Sequence, residues 1–356
     1  TCGFRYFVGH GLDLDVPESI DPVPNRAMLG TLIHEVLRET FERLQEHAGE
    51  PVVLEPAERP TIESTLLEAA QYVIETPTRV SLAEFDWGTT TAFARQQLEE
   101  LFTGVGTAAE NPYYRSNYPH NGGDRGLFAR FLDTEMKNGS APSHFEYPFG
   151  GVEDTSAETD NHVEIDTPRG TVKLRGQIDR IDRTSNDEGP DEVTVWDYKS
   201  GSAPSTARTI DGTDFQLATY LRAAVTSLDG DVRVMDGHYY EVSPPRSVNP
   251  KDGLSGDFDS EAAFDAFLDA EYPARLAQLQ TALERGAFQP TYLDEKDAGC
   301  EYCAYRSACD VRHHQRHERL DALDDNHVEY VPPGVADGGP FSYAPDAAPT
   351  EPEDGQ

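Results

Sequence analysis

The hydrophobic period of this chain changes once, near residue 140, and this change limits the fold classes open to it. Before it, apolar residues recur at helical spacing and predict helices over about 30–45, 61–74, 91–103 and 125–137. After it, short alternating runs over 144–199 predict successive strands, including one continuous run, "TVKLRGQIDRID". Helices followed by a meander of strands indicate one mixed α/β domain.

The rest of the chain completes this domain, which we place at residues 1–329. The remaining predicted elements are a helix, a strand and a longer helix, near 215–225, 232–242 and 258–285. Residues 50–140 are predicted as a helical insertion. From 330 to 356 the chain is rich in Pro, Gly and acidic residues and has no Lys or Arg, so we predict a disordered tail.

The charge of the chain is strongly acidic, with 65 Asp and Glu against 29 Lys and Arg and a net charge of −36. Such a surface repels itself at low salt, and the composition resembles that of cytosolic proteins of salt-accumulating halophiles. In concentrated salt the long-range attraction of phosphate is screened, and binding rests on short-range contacts and metal bridges. The acidic charge therefore does not exclude a nucleic-acid partner.

The opening residues lack the charged start and apolar stretch of a signal peptide, and no run approaches eighteen apolar residues. We therefore expect a cytoplasmic protein without a membrane partner. The chain begins without Met, and Cys2 belongs to a candidate cysteine site that a natural terminus would crowd. We accordingly expect a domain of a longer protein.

An acid, a spacer and a lysine occur together three times, at Glu135–Lys137, Asp197–Lys199 and Asp294–Lys296. Helical period turns the first pair about 200° apart, and the third pair lies in a polar loop. Only Asp197 and Lys199, in "VWDYKSG", end a strand, where a period of two directs both side chains to one face. This context distinguishes the second triplet as a candidate site.

The preceding strand, in "LRGQIDRID", supplies Asp179 on the face that bears Arg175 and Gln177. Asp182 falls on the other face and is interpreted as a structural or salt-bridged acid. Two neighbouring strands that each deliver a carboxylate, with a lysine beside one, form an oxygen-rich pocket suited to Mg²⁺ or Mn²⁺. A pair of strand-end salt bridges is the alternative interpretation.

Two helical patterns add to this pocket. His34 lies on the stripe of Leu37 and Phe41, so it faces inward or along the core edge, where a lone His is usually a hydrogen-bonded core residue. Gln216 and Tyr220, four residues apart, share a helix face. The ordered series "GTLIHEVL", "GQIDRID", "WDYKSG" and "DFQLATYL" resembles the PD-(D/E)XK nuclease superfamily, in its RecB-like branch, over residues 1 to about 310.

This resemblance implies an α/β, restriction-endonuclease-like fold, with a mixed β-sheet core flanked by helices. It also implies that His34, Asp179 and Asp197 bind the catalytic Mg²⁺ or Mn²⁺, together with the backbone carbonyl of Tyr198. A bound cation of this kind activates water and offsets charge on phosphate.

The resemblance assigns further roles around the metal. Lys199 would orient or activate the attacking water and stabilise charge developing on the phosphate. Gln216 and Tyr220 would position Lys199 or the DNA strand. Glu146, on the strand before the motif, matches a commonly acidic position of the branch less closely.

The four cysteines form one pattern, a single residue followed by C-x2-C-x5-C: Cys2, Cys300, Cys303 and Cys309. A chain without secretory features argues against disulfides, and thiolates in this number suit zinc or iron–sulfur binding. The layout resembles the nuclease subunits of AddAB-type helicase–nucleases and CRISPR-adaptation nucleases, although Gly3 stands where Pro is usual. This resemblance implies a 4Fe–4S cluster that joins the domain ends, with zinc as the alternative.

The basic segment "VRHHQRHER" contains possible DNA contacts, Arg312, His313 and Arg316, and is equally interpreted as a solvated helix face. We predict a metal-dependent DNA exonuclease acting on single-stranded ends, with a helicase partner, in DNA end processing and repair. One alternative is a CRISPR-adaptation-type nuclease, against which the insertion argues. The other is a catalytically silent module that binds DNA or scaffolds a helicase.

Overall fold

The computed structural model describes part of the chain, namely residues 2–14, 26–48, 52–76, 126–139, 141–150, 163–187, 189–243, 247–286, 288, 300, 303–306 and 309. Four predictions lie outside these residues: the helix over 91–103, the Asp294–Lys296 pair, the basic segment with Arg312, His313 and Arg316, and the tail over 330–356.

Helices flank a run of strands in the described residues. The helices are α1 (Gly3–Tyr6), α2 (Arg26–Ala48), α3 (Arg59–Glu75), α4 (Leu127–Asn138), α5 (Ala207–Ile210), α6 (Gln216–Ser227), α7 (Glu261–Ala266) and α8 (Tyr272–Glu284). The strands are β1 (Pro142–Phe149), β2 (Val163–Thr167), β3 (Gly170–Leu174), β4 (Gly176–Thr184), β5 (Asp191–Lys199), β6 (Val232–Ser243) and β7 (Ser247–Pro250). No helix in this described part combines the length and apolarity needed to span a bilayer.

The main sheet has five strands in the order β1-β4-β5-β6-β7, and β2 and β3 form a separate two-stranded sheet. β5 and β6 are parallel and are connected through α6, whereas the other neighbours in the main sheet are antiparallel. A parallel pair needs such a crossover connection, and the helix supplies it. β4 and β5, the strands of the predicted site, therefore lie side by side within the sheet.

Helices cover both faces of this sheet. On one face, α2, α3 and α4 pack over Trp196, Tyr198 and Tyr240 in a single buried apolar cluster. On the other face, α6 packs so closely that a side chain at Gly237 would lie 3.1 Å from both Leu217 and Leu221. The mixed sheet flanked by helices confirms the predicted restriction-endonuclease-like class. α3 and α4, the described helices of the predicted insertion, contribute to this core.

The chain divides into two compact units. One comprises residues 19–206 and 215–273 and contains the main sheet, all of the predicted metal ligands and the candidate catalytic lysine, Lys199. The other comprises residues 1–18, 207–214 and 274–356 and contains all four cysteines.

Two predicted elements were wrong in their extent. The continuous strand over 171–182 is two strands, β3 and β4, which are interrupted at Arg175 and belong to different sheets. The long helix over 258–285 begins at Glu261, after Ser260 accepts a hydrogen bond from the backbone of Ala263 (3.2 Å). It then widens into a π-helical turn before Pro273, which has no N–H for a helical hydrogen bond.

Candidate active site

Three neighbouring strands each deliver an acid to one level of the sheet. Glu146 of β1 falls opposite Asp179 of β4, because the residues on either side of them are paired. Asp197 of β5 lies one step beyond the pair Arg180–Trp196, which places it beside Asp179. The strand register therefore brings together acids that are far apart in the sequence.

Glu146 has an unusual backbone for a strand residue. Its φ of +44° lies in the left-handed region, which costs a non-glycine residue on the order of 1–3 kcal/mol and is concentrated at functional sites. The side-chain amide of Gln177 donates to the Glu146 carbonyl oxygen at 2.9 Å. This conformation accompanies the close approach of the Glu146 carboxylate to His34.

His34 reaches the same place from α2. Its Nδ1 lies 3.2 Å from Glu146 Oε1 and 3.8 Å from Asp179 Oδ2. One ligand atom from each of these three residues lies within 4.8 Å of the other two. Ligands placed 2.1 Å from one octahedral ion are about 3 Å apart when adjacent and about 4 Å apart when opposite. We call His34, Glu146 and Asp179 the ligand cluster.

The charges within the ligand cluster shift the pKa values of its members. Burial alone would lower the pKa of His34, but the hydrogen bond to Glu146 and the charges of Asp179, Glu146 and Asp197 raise it to about 9. Burial, reinforced by the charges of Asp197 and Glu146 against the opposing charge of His34, raises the pKa of Asp179 to about 7. The proton on His34 offsets the negative charge of these acids. A bound cation would take over that role, and two carboxylates with an imidazole suit Mg²⁺ or Mn²⁺.

Asp197 takes a different position from the other predicted ligands. Its Oδ2 lies 2.5 Å from Lys199 Nζ, and its side chain is 1% exposed. The backbone N–H of Tyr198, between these two residues, donates to Asp179 Oδ2 at 2.7 Å. The ligand roles of Asp197 and of the Tyr198 carbonyl stay predictions, while Glu146 occupies the third place in the ligand cluster.

Lys199 is held by a short chain of side chains from α6. Lys199 Nζ donates to Gln216 Oε1 at 2.8 Å, and Gln216 Nε2 donates to the Tyr220 hydroxyl at 2.9 Å. Burial and the charge of Asp179 raise the pKa of Tyr220, so it stays a neutral hydroxyl. Of the two predicted roles for Gln216, the contacts in this structure favour positioning Lys199.

Gly30 explains why α2 can approach this strand end. A side chain at Gly30 would lie 2.7 Å from the Ser200 hydroxyl and 3.2 Å from its Cβ, immediately after Lys199. The helix that carries His34 therefore contacts the loop that follows β5, and glycine permits this approach.

A buried network behind the site was missed by sequence reasoning. Arg180 is fully buried and donates to Asp182 at 2.6 and 2.9 Å, to Glu135 of α4 at 2.7 Å and to the Tyr198 hydroxyl at 3.1 Å. Trp196 Nε1 also donates to Asp182, at 2.9 Å. Asp182 is thereby confirmed as a salt-bridged acid. The available signal was an arginine on the same face as Ile178 in a strand that was predicted to be partly buried, "QIDRID".

The second unit contains the cysteines. Cys300 is buried, whereas Cys2, Cys303 and Cys309 are partly buried. Its N-terminal and C-terminal segments meet, because the Phe7 ring stacks on Phe288 with centroids 4.8 Å apart and the Tyr305 hydroxyl donates to the Leu14 carbonyl at 2.9 Å. These contacts bring the two ends of the domain to one place within this unit.

Comparison with known proteins agrees with this geometry. Over 144 residues the chain is 31% identical to an ATP-dependent helicase/deoxyribonuclease subunit from Leuconostoc citreum (strain KM20). The similarity covers 38% of this chain and only 12% of that relative, so the chain corresponds to a small part of it. Residues 1–310 match the family described as the PD-(D/E)XK nuclease superfamily. With that match across most of its length, the chain belongs to the PD-(D/E)XK nuclease superfamily.

Proposed function

We propose that this nuclease is a metal-dependent deoxyribonuclease that degrades DNA from single-stranded ends. The observation that supports this most strongly is the convergence of His34, Glu146 and Asp179 on one point beside the Asp197–Lys199 pair. A DNA-binding scaffold has no need of this combination, because buried acids such as Asp179 and Asp197 cost stability unless they are used or compensated.

The proposed mechanism assigns a role to each side chain. His34, Glu146 and Asp179 would hold Mg²⁺ or Mn²⁺, aided by Asp197 and the Tyr198 carbonyl. The bound cation lowers the pKa of water and offsets negative charge on the phosphate. Lys199 would orient the attacking water and donate to the phosphate oxygen as charge develops, while Gln216 and Tyr220 fix its ammonium group.

The choice of DNA and of a helicase partner is supported by the name of the similar protein, which describes a helicase and a deoxyribonuclease together. Since this chain matches only 12% of that relative, we propose that a helicase acts beside it, on the same or a separate chain, during DNA end processing and repair. A helicase would supply the unpaired ends on which the nuclease acts.

The test is degradation of DNA labelled at either end, single- or double-stranded, in concentrated KCl with Mg²⁺, Mn²⁺ or EDTA. We expect metal-dependent shortening from the ends of single strands and no cutting of a closed circular single strand. Cutting of the circle would show endonuclease activity and would contradict the proposed exonuclease. A folded protein that binds DNA without cutting it, even with a helicase supplied, would favour the silent module.

Metal binding is expected to depend on pH. Because the pKa of His34 is about 9 and that of Asp179 about 7, binding of Mn²⁺ must displace protons. The apparent affinity should rise on the order of tenfold per pH unit from pH 7 to 9 and level off above. Calorimetry in buffers of different ionisation enthalpy measures the release, and His34→Ala should abolish this slope. A flat profile in the unsubstituted protein would refute the assignment.

We also propose that Cys2, Cys300, Cys303 and Cys309 hold a 4Fe–4S cluster with a structural role. Their membership of one compact unit supports this, as does the meeting of the two end segments at Phe7 and Phe288. A cluster that joins residues 2 and 300 would close a very long loop and restrict the unfolded chain.

Protein purified without oxygen is expected to contain about four iron and about four acid-labile sulfide atoms per chain, the composition of one 4Fe–4S cluster. Cys303→Ser should lose iron and visible absorption, because one thiolate ligand is removed. Elemental analysis and absorption spectroscopy make the comparison. One zinc atom per chain without sulfide would establish the zinc alternative instead.

A further inference from the structure

The strands leading to Asp179 present a row of exposed hydrogen-bond donors. Lys173, Arg175 and Gln177 are exposed, alternate with less exposed residues, and are followed by the buried Asp179. Along the chain this row begins in β3, passes through the break at Arg175 and continues into β4, where Asp179 joins the ligand cluster. Arg175 is four residues from Asp179, which corresponds to at most about 13 Å of extended chain.

Arg175 is the least committed donor of the row. Lys173 Nζ lies 3.4 Å from Glu164 Oε1, and the Gln177 amide donates to the Glu146 carbonyl at 2.9 Å. Arg175 is exposed and makes no ion pair among the described residues. In a chain with 65 acidic and 29 basic residues, an exposed guanidinium that pairs with no carboxylate of the described part keeps its charge available for an anion.

The backbone beneath Arg175 is held firmly. Gly150 has φ of +78°, and a side chain on it would lie 2.3 Å from the Leu174 carbonyl oxygen and 2.7 Å from the Arg175 Cα. The end of β1 therefore lies directly against the break between β3 and β4, which only glycine allows. Arg175 thus projects from a packed strand junction and not from a long loop, which reduces the cost of ordering it around a ligand.

We propose that Arg175 binds a backbone phosphate of the DNA strand whose scissile phosphate lies at the ligand cluster. A guanidinium donates two parallel N–H groups to phosphate, and the contact would fix the register of the strand without reading its sequence. Lys173 and Gln177 flank this contact. The inference rests on the proposed function, because it assigns a binding residue to the same DNA substrate.

The test is binding of a labelled single-stranded oligonucleotide in EDTA, where cleavage is absent, over a series of KCl concentrations. Arg175→Ala is expected to bind about tenfold more weakly and to lower the slope of log affinity against log salt by about 0.7. Arg175→Lys should recover part of the affinity, because lysine restores the positive charge but not the bidentate hydrogen bonding of a guanidinium to phosphate. In cleavage assays Arg175→Ala should raise KM and leave kcat nearly unchanged.

The matched control is Lys137→Ala. Lys137 is also exposed and makes no ion pair among the described residues, but it lies on α4, which packs against the opposite face of the sheet. Its removal changes the net charge equally and should leave both affinity and salt slope unchanged. Equal binding by Arg175→Ala and the unsubstituted protein would overturn the inference alone. Failure of the unsubstituted protein to bind or cut DNA would overturn the proposed function as well.

Discussion

Replacement of Lys199 by alanine is expected to lower kcat for DNA cleavage by about a thousandfold, the effect of removing a group that stabilises the transition state. Lys199 Nζ lies 2.5 Å from Asp197 and donates to Gln216 at 2.8 Å, so its charge is fixed before substrate arrives. Alanine removes this charge and leaves Asp197 buried without its cation. The measurement is single-turnover cleavage of end-labelled DNA at saturating Mn²⁺.

Two variants make the Lys199 result interpretable. Lys199→Arg keeps the charge but spreads it over a planar group that cannot occupy the same point between Asp197 and Gln216, so activity should stay low. Lys137→Ala removes the lysine of the other described acid-x-Lys triplet, which is exposed, and full activity is expected. Cleavage by Lys199→Ala within about fivefold of the unsubstituted rate would remove Lys199 from the mechanism.

Arg180→Met is expected to lower the free energy of unfolding by about 3–5 kcal/mol, the usual cost of removing one partner of a buried ion pair. Arg180 is the cation between Glu135 and Asp182, and all three are buried. Burial already raises the pKa of Glu135 against the opposing charge of Arg180. Without Arg180 that carboxyl must take up a proton or remain charged in the core.

Urea unfolding at constant KCl measures this cost, with Arg183→Ala as the matched control. Arg183 lies on the same strand, but its ion pair with Asp191 is partly exposed to solvent, and solvent screens such pairs so that they contribute little to stability. The double variant Arg180→Met, Glu135→Leu should regain part of the loss, because an apolar contact replaces an orphaned acid. If Arg180→Met costs no more than Arg183→Ala, the network does not stabilise the fold.

Residue periodicity predicted the elements that carry the site. The apolar stripe of α2 and the alternating runs of β4 and β5 correspond to observed elements, because each packs an apolar face against the core. Residues in the middle of these patterns fix the element type strongly. β7 was not predicted, since a four-residue strand that ends in Pro250 carries too little pattern.

Pairings between distant segments were less accessible from sequence. The spacing of Glu146 and Asp179 in the chain does not reveal that they face each other, because strand register depends on the whole sheet. The positive φ of Glu146 has no local sequence signal, as glutamate rarely adopts it. Likewise, the Arg180–Glu135 pair joins a strand to a helix 45 residues away, and each residue alone resembles an ordinary surface charge.

The contact at Gly30 connects the helix that carries His34 to the end of the strand that carries Lys199. At this contact, the helix that presents His34 lies close to Ser200, the residue next to Lys199. A methyl group there would require the Ser200 hydroxyl to turn away and the Ser200 Cβ to move by a small distance, so the strain would fall on the residue next to Lys199. At position 30, the spacing between the helix of His34 and the loop after Lys199 thus depends on the absence of a side chain.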